Sequence, residues 1–155
     1  MTGTREGVVV DFTQVDDSKL HPLGTELNGL DGNTYVYVSS AGATAYYCYV
    51  LGEAGALTAL ATTTNVGSIP ALIVVPQQTI TSGKYGWCIT KGLDFTIRAA
   101  ASCAADVKLY TTANGDVDDA ATTLVQGLRL NASPGGSAGN VSATATSYMR
   151  VNAQD

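Results

Sequence analysis

The sequence predicts an all-β fold, a compact antiparallel β-sandwich or barrel with an extended N-terminal arm. Short runs rich in β-branched and aromatic residues recur at intervals of about 8–12 residues, with glycine, proline, asparagine or aspartate between them, which is typical of all-β domains. The first 30 residues differ, because five acidic and two basic residues there show little periodicity beyond the apolar run at positions 8–10. We therefore expect an arm at residues 1–30 and a single β-rich domain at residues 31–155.

Eight segments of the domain are expected to form strands. They span residues 34–38, 45–51, 71–75, 85–90, 93–98, 106–111, 124–130 and 142–151. The first two are expected to pair as an antiparallel hairpin, and Lys91-Gly92 is expected to separate two strands. Residues 56–62 are ambiguous between a short helix and a strand, with helix or irregular structure favoured, and residues 99–105 could form one helical turn.

Length and charge limit the classes of function. A chain of 155 residues fits one domain. Charged residues make up 14% of it and the net charge is -5, whereas an average globular domain has roughly 25% charged residues. With 8 basic residues the chain can neutralise few phosphates, so we expect no nucleic-acid partner. So few charged residues favour a surface that is partly covered by another protein.

Targeting signals and disulfides are not expected. The apolar run at residues 8–10 is shorter than the roughly 7–15 apolar residues of an export signal, and no stretch approaches the roughly 18 residues of a membrane span. Without export, Cys48, Cys88 and Cys103 should stay reduced and pack as small hydrophobic residues in strands.

Residues suited to catalysis or metal binding are few. His21 is the only histidine and lies beside Pro22 in the arm, a poor position for a general base. We therefore expect neither enzyme activity nor a cofactor. The acidic turn at residues 114–119 lacks the glycine and glutamate of an EF-hand loop. A solvated turn is favoured there, and a looser calcium site stays open.

Tyrosines form the most prominent cluster of the sequence, at positions 35, 37, 46, 47 and 49. Because side chains alternate along a strand, Tyr35 and Tyr37 should share one face, with Val36 and Val38 on the other. Cross-strand packing or an interface is favoured over a stacking platform for sugars or single-stranded nucleic acid. Trp87, after Gly86, is expected to be a packing residue or an interface anchor.

Several segments carry a resemblance when they are taken in order. They are His21-Pro-Leu-Gly-Thr, Asp31-Gly-Asn-Thr-Tyr-Val-Tyr-Val with Ala41-Gly-Ala-Thr-Ala, Ser82-Gly-Lys-Tyr-Gly-Trp, Ala100-Ala-Ser-Cys-Ala-Ala-Asp, Leu109-Tyr-Thr-Thr and Gly115-Asp-Val-Asp-Asp. Over most of residues 21–130 the chain resembles head decoration (cement) proteins of tailed phages. Cys48, Cys88 and the long acidic arm have no counterpart in that pattern.

The resemblance implies a structural protein of the virion. Such a protein binds the outer surface of an icosahedral head and stabilises contacts between subunits of the major capsid protein. It would be made in the host cytoplasm, act at the capsid exterior without a membrane partner, and be β-rich and commonly trimeric. The composition of residues 1–30 supports a separate hypothesis, in which the arm grips the capsid or a neighbour and residues 7–12 add a strand to it.

Eleven residues are the candidates for an interface with the capsid or with further copies of the chain. They are Val8, Val9, Val10, Phe12, His21, Leu23, Tyr35, Tyr37, Tyr47, Tyr49 and Trp87. One alternative is a glycan-binding virion surface module, whose site would be the tyrosines and residues 116–119. A less favoured alternative is a trimeric all-β nucleotide hydrolase of the dUTPase type, whose active-site motifs are not recognisable in this sequence.

Overall fold

The computed structural model describes residues 2–5, 8–64, 66, 71–120 and 123–151, and it confirms the predicted all-β fold. The described residues form twelve strands, and among them no helix is long and apolar enough to cross a membrane. The strands are β1 (Thr2–Arg5), β2 (Val8–Asp11), β3 (Glu26–Asn28), β4 (Thr34–Ser40), β5 (Tyr49–Leu51), β6 (Ala56–Leu60), β7 (Ala71–Pro76), β8 (Tyr85–Ala99), β9 (Leu109–Thr111), β10 (Val117–Asp118), β11 (Thr123–Leu130) and β12 (Gly139–Val151).

Strand pairing closes two rings that share β8. In the first ring β8, β7, β5, β6 and β4 pair in that order, and β4 returns to β8. In the second ring β8, β12, β11, β9 and β10 pair in order, and β10 returns to β8. Each ring contains one parallel pair, β4–β6 in the first and β8–β10 in the second. The architecture is therefore barrel-like, as closure removes sheet edges.

The shared strand β8 is 15 residues long and changes partner near its middle. Its first half pairs with β4, as in Trp87 with Tyr37, and its second half pairs with β12, as in Ile97 with Val141. The predicted strand break at Lys91-Gly92 is therefore wrong. Gly92 instead allows a close approach between β8 and the start of β4, because a Cβ atom there would overlap the side chain of Asn33.

Two further expectations about local structure are wrong. Residues 34–38 and 45–51 do not form a hairpin, because β4 pairs with β3, β6 and β8, whereas β5 pairs with β6 and β7. Residues 56–60 are strand β6 rather than a helix. Leu57 is buried there and Thr58 is exposed, which is the alternation of a strand wedged between two neighbours. Residues 99–105 end β8 and continue as a turn, without a helical turn.

The two faces of β4 belong to different cores. Val36 and Val38 lie in a cluster with residues from every other strand of the first ring. Tyr35 and Tyr37 point the other way, into a larger cluster that continues into the second ring. The predicted separation of the tyrosines from the valines is confirmed. The inner cluster of the first ring thus consists of small and branched side chains together with Tyr49, and the aromatic outer face of the ring needs a cover.

The N-terminal segment provides that cover. Phe12 is 1% exposed, and its ring stacks on Tyr35 at 4.1 Å and meets Trp87 edge-on at 5.2 Å. Further along, Asp16 and Tyr85 exchange two backbone hydrogen bonds. The expected extended arm is therefore folded onto the domain from Val10 through β3. The boundary between an arm at residues 1–30 and a domain at residues 31–155 stays a prediction.

All three cysteines are buried and free, which confirms their predicted packing role. Cys88 lies in β8, whereas Cys48 directly precedes β5 and Cys103 lies at the turn after β8, so only Cys88 packs within a strand as expected. Burial raises the pKa of Cys48 to about 12, with a smaller contribution from the charge of Asp116, and burial raises the pKa of Cys88 further. These thiols are therefore protonated and unreactive near neutral pH.

Candidate interaction sites

Six of the eleven residues proposed for an interface are core residues. They are Val10, Phe12, Tyr35, Tyr37, Tyr49 and Trp87, and none is more than 6% exposed. Their side chains are largely covered by other parts of the same chain, and their assignment to an interface stays a prediction. The aromatic cluster was a genuine signal of burial, but the covering surface is the chain's own N-terminal segment.

The other five residues fall into two groups. His21, Leu23 and Tyr47 are half-buried and keep some surface for contact with another molecule. The backbones of Val8 and Val9 belong to β2, and their side chains lie outside the described residues. His21 packs edge-on against Tyr37 with ring centroids 5.0 Å apart. The expected position of His21 on a mobile arm therefore does not describe its surroundings.

An open cavity of about 230 Å³ lies where the N-terminal segment meets the outer face of the first ring. Residues of β2, the segment after it and β8 form its walls. The lining residues are Val10, Asp11, Gln14, Asp16, Leu20, His21 and Trp87. Sequence reasoning identified three of them as interface candidates but missed the two aspartates, because nothing in an acidic stretch shows which carboxylates will line a cavity.

Asp16 is the most enclosed polar group of this cavity, with 6% exposure. The hydroxyl group of Tyr37 donates a hydrogen bond of 2.7 Å to Asp16 Oδ2, and the backbone N–H of Leu20 donates one of 3.3 Å to the Tyr37 oxygen. Burial, followed by the hydrogen bond to Asp16, raises the pKa of Tyr37 to about 12. The phenol is therefore a fixed donor that orients the carboxylate.

Asp11 is the second carboxylate of the cavity, and it is exposed. Its Oδ1 accepts hydrogen bonds from the hydroxyl group of Thr13 at 2.7 Å and from the Thr13 backbone N–H at 2.9 Å. These bonds, the side-chain one first, lower the pKa of Asp11 below its ordinary value. At neutral pH the group is therefore an anion whose position is held by its neighbour.

The cavity is lined by two aspartates and by no lysine or arginine. The ion pairs between described side chains lie elsewhere: Lys84 contacts Asp17 at 2.9 Å, and Arg129 contacts Asp106 at 3.2 Å. A carboxylate that is largely removed from water without a cationic partner is costly. The negative charge of the two aspartates therefore favours the binding of a positively charged group.

A second groove, of about 250 Å³, lies beside β5 and β6. Thr44, Tyr47, Tyr49, Leu60 and Asn114 line it. The guanidinium of Arg98 lies 5.4 Å from the centroid of the Tyr47 ring, and the Tyr49 hydroxyl accepts a hydrogen bond from the Thr44 backbone N–H. Part of the polar and aromatic surface of this groove is thus already engaged within the chain.

The acidic turn considered for calcium is only partly a cluster. Cys103, Asp118 and Asp119 bring one potential ligand atom each within 4.8 Å of the others, whereas Asp116 is hydrogen-bonded to the hydroxyl group of Thr112. Burial and then the charges of the two neighbouring aspartates raise the pKa of Cys103 to about 11. The thiol is protonated at neutral pH, whereas metals bind the thiolate. Asp119 also accepts a hydrogen bond from the Ala104 backbone.

The hairpin of β1 and β2 is the other feature suited to binding. The two strands pair with each other from Thr2 with Asp11 to Arg5 with Val8, and with no other described strand. The hairpin and the cavity adjoin, because Val10 and Asp11 belong to both.

No model of a protein family, no curated protein and no solved structure matches the chain. Its function is therefore inferred from the hairpin, the cavity and the groove.

Proposed function

We propose that this chain is a structural decoration (cement) protein of a tailed-phage head. It binds the outer surface of the capsid and stabilises contacts between subunits of the major capsid protein. It acts as a homo-oligomer, with a trimer as the proposed state, and it carries out no reaction. The resemblance of residues 21–130 to such proteins supports the proposal, and so does the low fraction of charged residues, 14%.

The observation that carries the proposal is the hairpin of β1 and β2, whose strands pair with each other and with no other described strand. A two-stranded hairpin is at best marginally stable in water, and its outer edges offer unpaired backbone groups. Here the hairpin is anchored in the domain, because Val10 within β2 and Phe12 directly after β2 are buried in the core. A neighbouring protein that adds a strand to such an edge would complete the sheet.

The anchoring of the hairpin determines how firmly a bound partner is attached to the domain. A partner that is hydrogen-bonded to β1 or β2 would be held to the domain through Phe12, which stacks on Tyr35 and meets Trp87 edge-on. A capsid offers many equivalent sites, and an oligomer that engages several of them gains attachment strength without new chemistry. A clamp of this kind needs area and anchoring rather than a catalytic constellation.

Binding to heads tests the proposal directly. Heads assembled from the cognate major capsid protein, without decoration protein, are mixed with the purified chain and sedimented. We expect the chain to sediment with the heads at saturable stoichiometry and light scattering to give the mass of a trimer. A chain that stays in the supernatant at all concentrations contradicts the function.

The matched variant removes residues 1–7 and keeps β2 with its buried neighbours. Deletion of residues 1–30 is unsuitable, because it would remove Phe12, Asp16 and β3 from the folded domain. The short deletion should leave the unfolding transition nearly unchanged and weaken head binding by about tenfold or more, as the loss of several backbone hydrogen bonds implies. Full binding by the deletion variant would exclude the hairpin as the gripping element.

The groove at Tyr47 favours a second candidate, a glycan-binding module of the virion surface. Two tyrosines, a threonine and an asparagine around about 250 Å³ are side chains that contact sugars by stacking and hydrogen bonding. A glycan array with the wild-type chain and Tyr47→Ala tests this candidate. Array signals that disappear in the variant favour it, and a blank array with the wild type excludes it for the glycans present.

A further inference from the structure

We propose that the cavity beside the hairpin is a binding site for an arginine side chain of the partner protein. The site consists of the carboxylates of Asp11 and Asp16, the rings of Trp87 and His21, and Leu20. The inference rests on the proposed function for the source of the arginine, a neighbouring protein at the hairpin. The site itself is argued from the geometry of this chain.

Each carboxylate keeps one oxygen for a ligand. Asp16 uses Oδ2 to accept the hydrogen bond from Tyr37, and Asp11 uses Oδ1 to accept both hydrogen bonds from Thr13. The remaining oxygens, Oδ1 of Asp16 and Oδ2 of Asp11, have no side-chain donor among the described residues. A guanidinium presents five N–H donors in one plane and can serve two acceptors at once.

Aromatic rings supply the second part of the site. The ring centroids of His21 and Trp87 are 5.3 Å apart with planes inclined by 56°, and both lie near Tyr37. A guanidinium is planar and weakly hydrated, so it stacks on aromatic faces, whereas an ammonium is a compact and strongly hydrated charge. Trp87 is 1% exposed, so the half-buried ring of His21 supplies the aromatic surface, and that ring beside two carboxylates favours arginine over lysine.

The size of the cavity agrees with a single side chain. About 230 Å³ corresponds to roughly eight water molecules at about 30 Å³ each, which is room for one arginine side chain. Its methylene stem can lie along Leu20 as it enters. Leu20 is 60% exposed and marks the rim. Binding would also compensate the charge of Asp16, which is 6% exposed.

Fluorescence offers a direct test, because Trp87 is the single tryptophan of the chain and lines the cavity. The full chain is titrated with Nα-acetylarginine amide and, as the neutral isostere, with Nα-acetylcitrulline amide. We expect a saturable change in tryptophan emission with the arginine probe and binding weaker by about tenfold or more with citrulline, the scale of one charge-assisted hydrogen bond. Equal affinity for the two probes, or no binding of either, overturns the proposal.

Three variants locate the site. Asp16→Asn and Asp11→Asn keep an oxygen for Tyr37 or Thr13 and remove the charge, so each should weaken arginine binding by about tenfold. Asp17→Asn is the matched control, because Asp17 pairs with Lys84 outside the cavity, and it should bind like the wild type. If Asp16→Asn fails to fold, Asp11→Asn still decides, since its side chain is exposed. Unchanged affinity in Asp11→Asn overturns the site, whereas arginine binding without head binding contradicts only the decoration function.

Discussion

The hydroxyl group of Tyr37 donates a 2.7 Å hydrogen bond to Oδ2 of Asp16, and both side chains are buried. The bond joins the outer face of β4 to the N-terminal segment, 21 residues earlier in the chain. It therefore fixes one wall of the cavity and holds the segment that leads from the hairpin into the domain. Its contribution can be measured without touching the cavity's charge.

Tyr37→Phe should lower the free energy of unfolding by about 1–3 kcal/mol, because it leaves a buried acceptor on Asp16 without its donor. Urea unfolding followed by tryptophan emission measures the change. Tyr85→Phe is the matched control: its ring stacks near Tyr37 at 6.2 Å, and its hydroxyl group donates no hydrogen bond to a described residue. We expect that control to stay within about 0.5 kcal/mol of the wild type. Equal losses in the two variants would contradict a role for the bond.

Phe12→Ala should destabilise the whole domain by about 3–5 kcal/mol, the usual cost of truncating a buried aromatic residue. The reason is that Phe12 stacks on Tyr35 and meets Trp87, so its loss uncovers the aromatic face of the first ring. Leu30→Ala, at a residue 82% exposed, is the control and should change little. A Phe12→Ala domain as stable as the wild type would show that the segment is a detachable arm.

The strand positions could be predicted because alternation and turn residues are local properties. Residues 71–75 and 124–130 reappear almost unchanged as β7 and β11. Pairing could not be predicted in the same way, since β4 finds β8 about 50 residues away rather than its neighbour β5. Ring closure is a property of the whole sheet and leaves no local pattern in the sequence.

The candidate site likewise could be predicted only in part. Tyr35, Tyr37 and Trp87 were recognisable as residues that needed burial, but the sequence could not say whether a partner or the chain itself covers them. The covering residue, Phe12, lies in a segment with too few apolar residues to predict a core contribution. Asp16 looked like an ordinary solvated charge, because its burial follows from that packing.

Burial of Cys48 makes the free energy of unfolding depend on pH in the alkaline range. Burial, then the charge of Asp116, raises its pKa from about 9 to about 12 in the folded chain, so in the unfolded chain it ionises first. Its contribution is complete below the unfolded pKa and is lost as pH rises from about 9 towards about 12. Within that window the wild type should lose about 1.4 kcal/mol per pH unit more than Cys48→Ala. Urea unfolding at several pH values compares the slopes, and parallel slopes would contradict the burial of the thiol.

Gly92→Ala should disturb the junction between the two rings. A Cβ atom at this position would overlap the side chain of Asn33, whose buried Oδ1 already has no hydrogen-bond partner among the described residues. Asn33 directly precedes β4, so it can yield only by shifting the strand that carries Tyr35 and Tyr37. We expect a loss of about 2–3 kcal/mol in the free energy of unfolding, the scale of overpacking a well-filled core.

Gly136→Ala is the control for Gly92→Ala, because a Cβ there meets nothing within 4 Å, and thermal unfolding compares the two variants. Since β8 belongs to both rings, the transition of Gly92→Ala should stay single and move as a whole. Two separate transitions would mean that the rings fold independently and that β8 does not couple them.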